Sequence, residues 1–356
     1  MSALAATLPE PAEASRPPEA RGLTRDSVRL LVASRDRLLH ARFTQLPELL
    51  LPGDLVVVNT SRTLPAALPA RRAGGEALVL HLSTPVPHEL SGRWLVELRS
   101  GDGVARDGRR GEQLSLPAGG RTQLVAPYMG TRLWVASLTL PEPLLDYLDH
   151  NGRPIRYGHL GEEWPLELYQ NVYATEPGSA EMPSAGRPFT SALIAGLVAR
   201  GIDVAPLILH TGVASLERGE RPYPERYRVP QWTAARVNLA RRLGGRVIAV
   251  GTTVVRALES AAAEDGRVRA AAGWTDLVIE PARGVRAIDG LITGFHDRDS
   301  SHLLMLEAIA GADLIERSYG AAAGAGYLRH EFGDLLLLDP VREAAPWRSR
   351  GSARRP

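Results

Sequence analysis

The chain has 356 residues, of which 44% are hydrophobic and 23% charged, the balance of a soluble globular protein with one large or two smaller domains. Cys is absent and all 42 basic residues are Arg, which excludes disulfides, thiolate metal sites, iron–sulfur clusters, cysteine nucleophiles and lysine Schiff bases. The formal net charge is +2, so no global positive field recruits nucleic acid.

Residues 1–21 are rich in Ala, Pro and Glu without periodicity and read as a disordered arm. No basic start leads into a continuous apolar stretch, as a secretory signal requires. No apolar run approaches the roughly 20 residues that cross a bilayer. A cytoplasmic protein without membrane contact is expected. The run 55–58 has the apolar texture of a buried strand. Between about 65 and 140 the texture is β: the runs 77–82, 93–99, 121–126 and 131–140 are short, partly alternating and separated by Gly- and Pro-rich turns. That spacing predicts a small sandwich or barrel.

From 143 onward helices and strands alternate. The pattern predicts helices over 143–149, 191–200, 233–243, 254–263 and 300–310. It predicts strands over Asp203–Leu209, 246–250, 276–280, 285–292 and Leu335–Leu338. Asp299 or Ser300 reads as the N-cap of the last helix. The fold class is therefore α/β, with a discontinuous main domain over 22–64 and 141–341. A β-barrel-like domain over 65–140 is inserted into it. Residues 342–356 form a flexible basic tail.

In open α/β sheets ligands collect beyond the carboxyl ends of the strands, and four such ends carry polar residues. Asn59, Thr60 and Ser61 offer neutral donors and acceptors, and Arg62 a planar fork for carboxylate or phosphate. His210 leaves a strand ahead of Thr211 and Gly212, placed to titrate near neutral pH. Gly251 precedes Thr252 and Thr253 at a helix start, an arrangement suited to an anion. Arg256 and Glu259 follow on the same helix, spaced to pair with each other. His296 and His302 flank a turn with carboxylates, but at no recognised metal-binding spacing, and no metal ligand set is assigned. The loop 182–189, with Ser184, Gly186 and Phe189, reads as a binding loop or a plain connector. The stretch 218–246 holds eight Arg, either an electrostatic footprint for RNA or a solvated helix face.

Taken in order, these segments resemble the S-adenosylmethionine:tRNA ribosyltransferase-isomerase family of queuosine biosynthesis. The turn Val58-Asn59-Thr60-Ser61-Arg62 is similar to the family's N-N-T-R, and the loop 182–189 to its A-P-T-A-G-L-H-F. The run 247–259, Gly294-Phe295-His296 and Phe332-Gly333-Asp334 carry the resemblance further, over about residues 23–340. The chain also departs from the pattern. Arg187-Pro188-Phe189 replaces L-H-F, 223–227 replaces a segment with two His, and 154–159 replaces P-L-P-P-Y-I.

The resemblance implies transfer of the ribosyl part of S-adenosylmethionine to 7-aminomethyl-7-deazaguanine in tRNA, giving epoxyqueuosine with loss of adenine and methionine. The implied partners are S-adenosylmethionine, as substrate rather than resident cofactor, and tRNA; no permanently bound cofactor is expected, and the chain is expected to be a monomer. Such chemistry needs a base beside the sulfonium and an acid for adenine. His210 and His296 are the candidate pair. Glu331 and Asp334 are candidates to orient a His or bind ribose hydroxyls, and Arg62 or Arg256 to hold the carboxylate. Asn59, Thr60, Ser61, Ser184, Gly186, Phe189, Thr211, Gly212, Thr252, Thr253, Glu259 and His302 complete the expected substrate-binding set. Two alternatives remain: a relative using the same donor on a small-molecule acceptor, and a non-catalytic adenosyl- or RNA-binding protein.

Overall fold

Leu55–Asn59, Val247–Val250 and Leu335–Leu338 are buried at every position, as strands covered on both faces must be. They belong to a nine-stranded sheet in the computed structural model, which describes residues 4, 7–89, 91–101, 103–130, 132–213, 222–298 and 300–340. The order is Ala271–Thr275, Glu225–Val229, Asp203–Leu209, Leu55–Asn59, Val247–Val250, Gly290–Gly294, Leu335–Leu338, Arg29–Ala33 and Leu38–Arg42.

The four strands from Asp203–Leu209 to Gly290–Gly294 run parallel, so their carboxyl ends share one edge. Leu335–Leu338 is antiparallel to Gly290–Gly294, and Glu225–Val229 to Asp203–Leu209. The residues before those two strands therefore reach the same edge from the opposite direction.

Alternate residues of the strands feed two cores. Val56 and Val58 face Phe43, Phe189, Leu193 and Leu197. Leu55 and Val57 face the helices Gln231–Arg242, Thr252–Ala261, Ser301–Ala310 and Ala312–Gly324. The helix Ser191–Ala199 starts where Thr190 Oγ1 accepts the Leu193 N–H at 3.1 Å, an ordinary hydroxyl N-cap.

The inserted segment closes into a six-stranded barrel. Its strands run in the order Ala67–Arg72, Ala77–Pro85, Trp94–Ser100, Leu133–Thr139, Arg121–Pro127 and Gln113–Ser115, the last pairing back to the first. The expected α/β architecture with a barrel-like insertion is thus present.

Several local expectations need correction. The segment 1–21 is not a loose arm where it is described. Ala12–Glu13 pairs with Leu328–Arg329, and Leu8, Pro11, Ala14, Pro17 and Pro18 are buried. A segment without a period of its own still docks as extended chain when another strand supplies its hydrogen bonds. The strand expected over 276–280 lies at Ala271–Thr275 instead; the apolar residues after it pack as irregular chain, with Ile279 in the core. The barrel core extends past residue 140, because the helix Leu144–Asn151 buries Tyr147 and Leu148 in it. The tail 342–356, Asp299, and Arg218 and Arg221 of the 218–246 stretch lie outside the described residues. Among the described residues, no helix is long and apolar enough to cross a membrane.

Candidate active site

The shared edge of the sheet opens into a cavity of about 470 Å³. One wall is the start of the helix Thr252–Ala261. Gly251 joins strand to helix with φ +88°, a left-handed turn that favours glycine. Thr252 and Thr253 follow it into the cavity lining. One turn on, Arg256 is also lining but engaged: its guanidinium pairs with Glu225 and donates to the carbonyls of Thr275 at 2.9 Å and Leu277 at 3.2 Å. Glu225 accepts the Gly212 N–H at 3.0 Å. Burial lifts the Glu225 carboxyl above its ordinary value, and Arg256 partly offsets that.

A second wall holds His296 and His302, whose rings stack with centroids 4.4 Å apart. Thr293 Oγ1 lies 2.8 Å from His296 Nε2. Burial depresses both imidazoles, His302 to about 4 and His296 well below the ordinary range, so both are neutral at pH 7.

The third wall brings together residues far apart in sequence. His159 Nε2 is 2.8 Å from Glu331 Oε2, and the His330 ring stacks on His159 at 4.4 Å. Burial works against a charge on His159, yet the Glu331 hydrogen bond and charge outweigh it and raise its pKa. Burial would raise Glu331, but the bond to His159 holds it low. The ligand atoms of His159, His330 and Glu331 lie within 4.8 Å of one another, close enough to raise the question of a metal. An imidazole binds an ion in its ring plane. Here the two planes are stacked, only 22° apart, so their lone pairs do not converge on one point. The trio is better described as a carboxylate–imidazole pair with a second ring against it.

Of the residues singled out from sequence, Ser184, Thr211, Gly212, Thr252, Thr253, Arg256, His296, His302 and Glu331 meet around this cavity. The others lie elsewhere. Asn59 ties two strands together at Leu209, and Thr60 Oγ1 donates to the Leu207 carbonyl at 3.2 Å. Ser61 Oγ sits between Ser179 Oγ at 2.6 Å and His210 Nδ1 at 2.8 Å. His210 packs over Gly178, where an added Cβ would fall 2.4 Å from its Nδ1. Burial, then Arg226, depresses His210 to about 4. Arg62 is exposed between the buried Ser61 and Thr63. Gly186 leaves no room for a Cβ, which would sit 2.2 Å from the Tyr173 hydroxyl. Phe189 fills the core, edge-on to Phe43. Glu259 does not pair with Arg256. Its carboxylate accepts from Arg283 Nη1 at 2.7 Å and from the N–H groups of Arg286 and Ala287 at 2.7 and 2.8 Å. Asp334 is held by Arg29 Nη2 at 2.8 Å and the Leu328 N–H at 2.9 Å.

Sequence reasoning missed Tyr157, His159, Glu181, Glu225 and His330, all of which line the cavity. The hydroxyl of Tyr157 bonds the Glu181 carboxylate. Ranking only carboxyl strand ends overlooks Glu225 and His330, which precede or begin antiparallel strands. Including the amino ends of such strands would have found both.

The profile of the family described as "Queuosine biosynthesis protein" matches residues 1–338. A protein of Geobacter sulfurreducens named S-adenosylmethionine:tRNA ribosyltransferase-isomerase is 36% identical over 328 residues, 88% of this chain and 93% of that protein. One of the same name from Symbiobacterium thermophilum is 37% identical, over 93% of this chain and 97% of its own length. The crystal structure of S-adenosylmethionine tRNA ribosyltransferase from Thermotoga maritima superposes with a TM-score of 0.51 at 28% identity, covering 92% of this chain and 96% of that one. Sequence and fold agree along nearly the whole length: the chain is a member of the queuosine biosynthesis protein family.

Proposed function

We propose that this protein transfers the ribosyl portion of S-adenosylmethionine to tRNA, with 7-aminomethyl-7-deazaguanine as acceptor and epoxyqueuosine as product. The observation that carries the reading is the cavity at the strand ends, in a chain whose relatives bear the name of that reaction over more than nine-tenths of their own length. Its lining supplies the groups the chemistry requires. The donor is a sulfonium cation, and Glu181, Glu225 and Glu331 are among the residues that line the cavity. The start of the helix at Thr252 and Thr253 suits the methionine carboxylate, through backbone N–H groups, the helix dipole and two hydroxyls. Neutral His296 can accept the proton beside the sulfonium, with Thr293 orienting its ring. S-adenosylmethionine enters as substrate, and the protein acts by holding it and moving protons.

The test is incubation of the purified chain with S-adenosylmethionine and tRNA carrying the aminomethyl-deazaguanine base, with chromatography for free adenine. Adenine release that requires the modified tRNA supports the reading. Adenine release with a small amine and none with the tRNA contradicts it, and donor binding without adenine release under any condition leaves a binding protein.

A further inference from the structure

Adenine departs with a bonding electron pair on nitrogen, so the reaction needs an acid as well as a base. His210 sits behind Ser61, outside the cavity lining. His296 and His302 are stacked in a buried wall that disfavours a proton. The other two histidines of the lining are His159 and His330.

His159 is built as an oriented acid. Its Nε2 is fixed 2.8 Å from Glu331 Oε2, while its Nδ1 has no hydrogen-bond partner among the described residues. The face of its ring is covered by His330, centroid to centroid 4.4 Å. His330 takes that position from a left-handed backbone, φ +71°, a conformation few non-glycine residues adopt. The turn is locked from behind. The Gly333 N–H donates to the His330 carbonyl at 2.9 Å, and a Cβ on Gly333 would come within 2.5 Å of the Leu328 carbonyl oxygen. A carboxylate behind an imidazole with its far nitrogen unclaimed is the orienting logic of a catalytic histidine.

The geometry points to His159 as the group that protonates the departing adenine, with Glu331 as its positioning carboxylate and His330 as the surface that holds its ring. This rests on the reading of the chain as a ribosyltransferase acting on S-adenosylmethionine. In the step, the bond between the ribose carbon and adenine N9 breaks and its electron pair goes to adenine. The Nδ1–H bond of the His159 imidazolium breaks and its proton passes to adenine. Neutral adenine leaves, and neutral His159, still bonded to Glu331, regains a proton from solvent. The charged groups facing His159 agree with this role. Glu331 and Glu13 favour its proton against burial and Arg329, while burial keeps the adjoining His330 low. One wall thus favours a proton on its imidazole and another disfavours it, the separation that assigns acid and base.

The experiment measures single-turnover adenine release against pH with the full chain, S-adenosylmethionine and modified tRNA. His159→Gln is expected to slow release by about 10²-fold or more, to change the dissociation constant of the donor by less than about threefold, and to abolish the alkaline fall in rate. Glu331→Gln is expected to move that fall to lower pH. A donor analogue whose purine is a better leaving group should recover His159→Gln more than the wild type, which a purely structural role would not produce. Should either variant fail to fold, NMR titration of the wild-type histidines gives an independent readout, with His159 titrating above the ordinary histidine value and above His302. Equal losses with both donors, an unchanged alkaline fall, or His159 titrating below the ordinary value would overturn the assignment. Wild-type protein that releases no adenine from S-adenosylmethionine overturns the underlying reading instead, a result distinct from an active wild type matched by His159→Gln.

Discussion

The side chain of Asn59 exchanges two hydrogen bonds with the backbone of Leu209: Nδ2–H donates to the Leu209 carbonyl at 2.8 Å, and Oδ1 accepts the Leu209 N–H at 3.0 Å. The backbone ladder between these parallel strands ends with Leu207 opposite Asn59, so the amide carries the pairing two residues further, to the edge of the cavity. Oδ1 also accepts the Ser61 N–H at 3.1 Å. Asn59→Leu should cost roughly 3 kcal/mol or more, because three buried backbone groups lose their partner at about 1–3 kcal/mol each. Urea unfolding should show a lower midpoint at an unchanged slope. An unchanged midpoint would mean that water replaces the amide.

The stacked imidazole pair makes stability depend on acid. His302 is depressed from 6.5 to about 4 by burial, then by Arg256. The unfolded chain therefore binds this proton more readily than the folded one, and stability falls as pH drops from about 6.5 toward 4. Melting temperature measured across that window should decline, and His302→Asn should flatten the decline. A variant with the wild-type slope would remove His302 as its source.

Arg256 is placed by a buried carboxylate, not by solvent. Removing it in Arg256→Met strands Glu225 beside the Gly212 N–H without its cation. Breaking one side of a buried pair costs about 3–5 kcal/mol, so the melting temperature should drop sharply. Glu225→Gln with Arg256→Met together should recover part of that loss. Simple additivity of the two substitutions in thermal melts would show the pair to be uncoupled.

Much of the sheet is legible in the sequence, because strands buried on both faces are continuous apolar runs: Leu55–Asn59, Asp203–Leu209 and Leu335–Leu338 all announce themselves. Glu225–Val229 does not. Its buried Tyr227 and Val229 alternate with the exposed Arg226 and Arg228, so it reads as part of an Arg-rich surface run. Strand direction is invisible as well, and direction decides that Glu225 and His330 arrive at the cavity. The His159–Glu331 contact joins residues 172 positions apart, beyond any local pattern. Both His159 and Glu225 fall in segments where this chain departs from the family's wording, whereas a third such segment, Arg187-Pro188-Phe189, lies outside the cavity lining.

The same strand supplies candidate phosphate contacts. Arg226 and Arg228 are exposed, with Arg228 only 3.5 Å from Glu176, while Arg246 and Arg241 are consumed internally by Asp54, Asp339 and backbone carbonyls. Arg226→Ser with Arg228→Ser should weaken tRNA binding at low salt and reduce the salt dependence by about one unit of slope per lost contact. Calorimetric binding of S-adenosylmethionine should be unchanged. Equal loss of both ligands would place these residues in the fold instead of the tRNA surface.

The proposed reaction moves ribosyl carbon from S-adenosylmethionine to tRNA. The most direct measurement supplies donor labelled with ¹³C in the ribose, digests the recovered tRNA and follows the label by mass spectrometry. Label is expected in one modified nucleoside, matched mole for mole by free unlabelled adenine. Free adenine with the label confined to a small-molecule product, and tRNA left unlabelled, would contradict it.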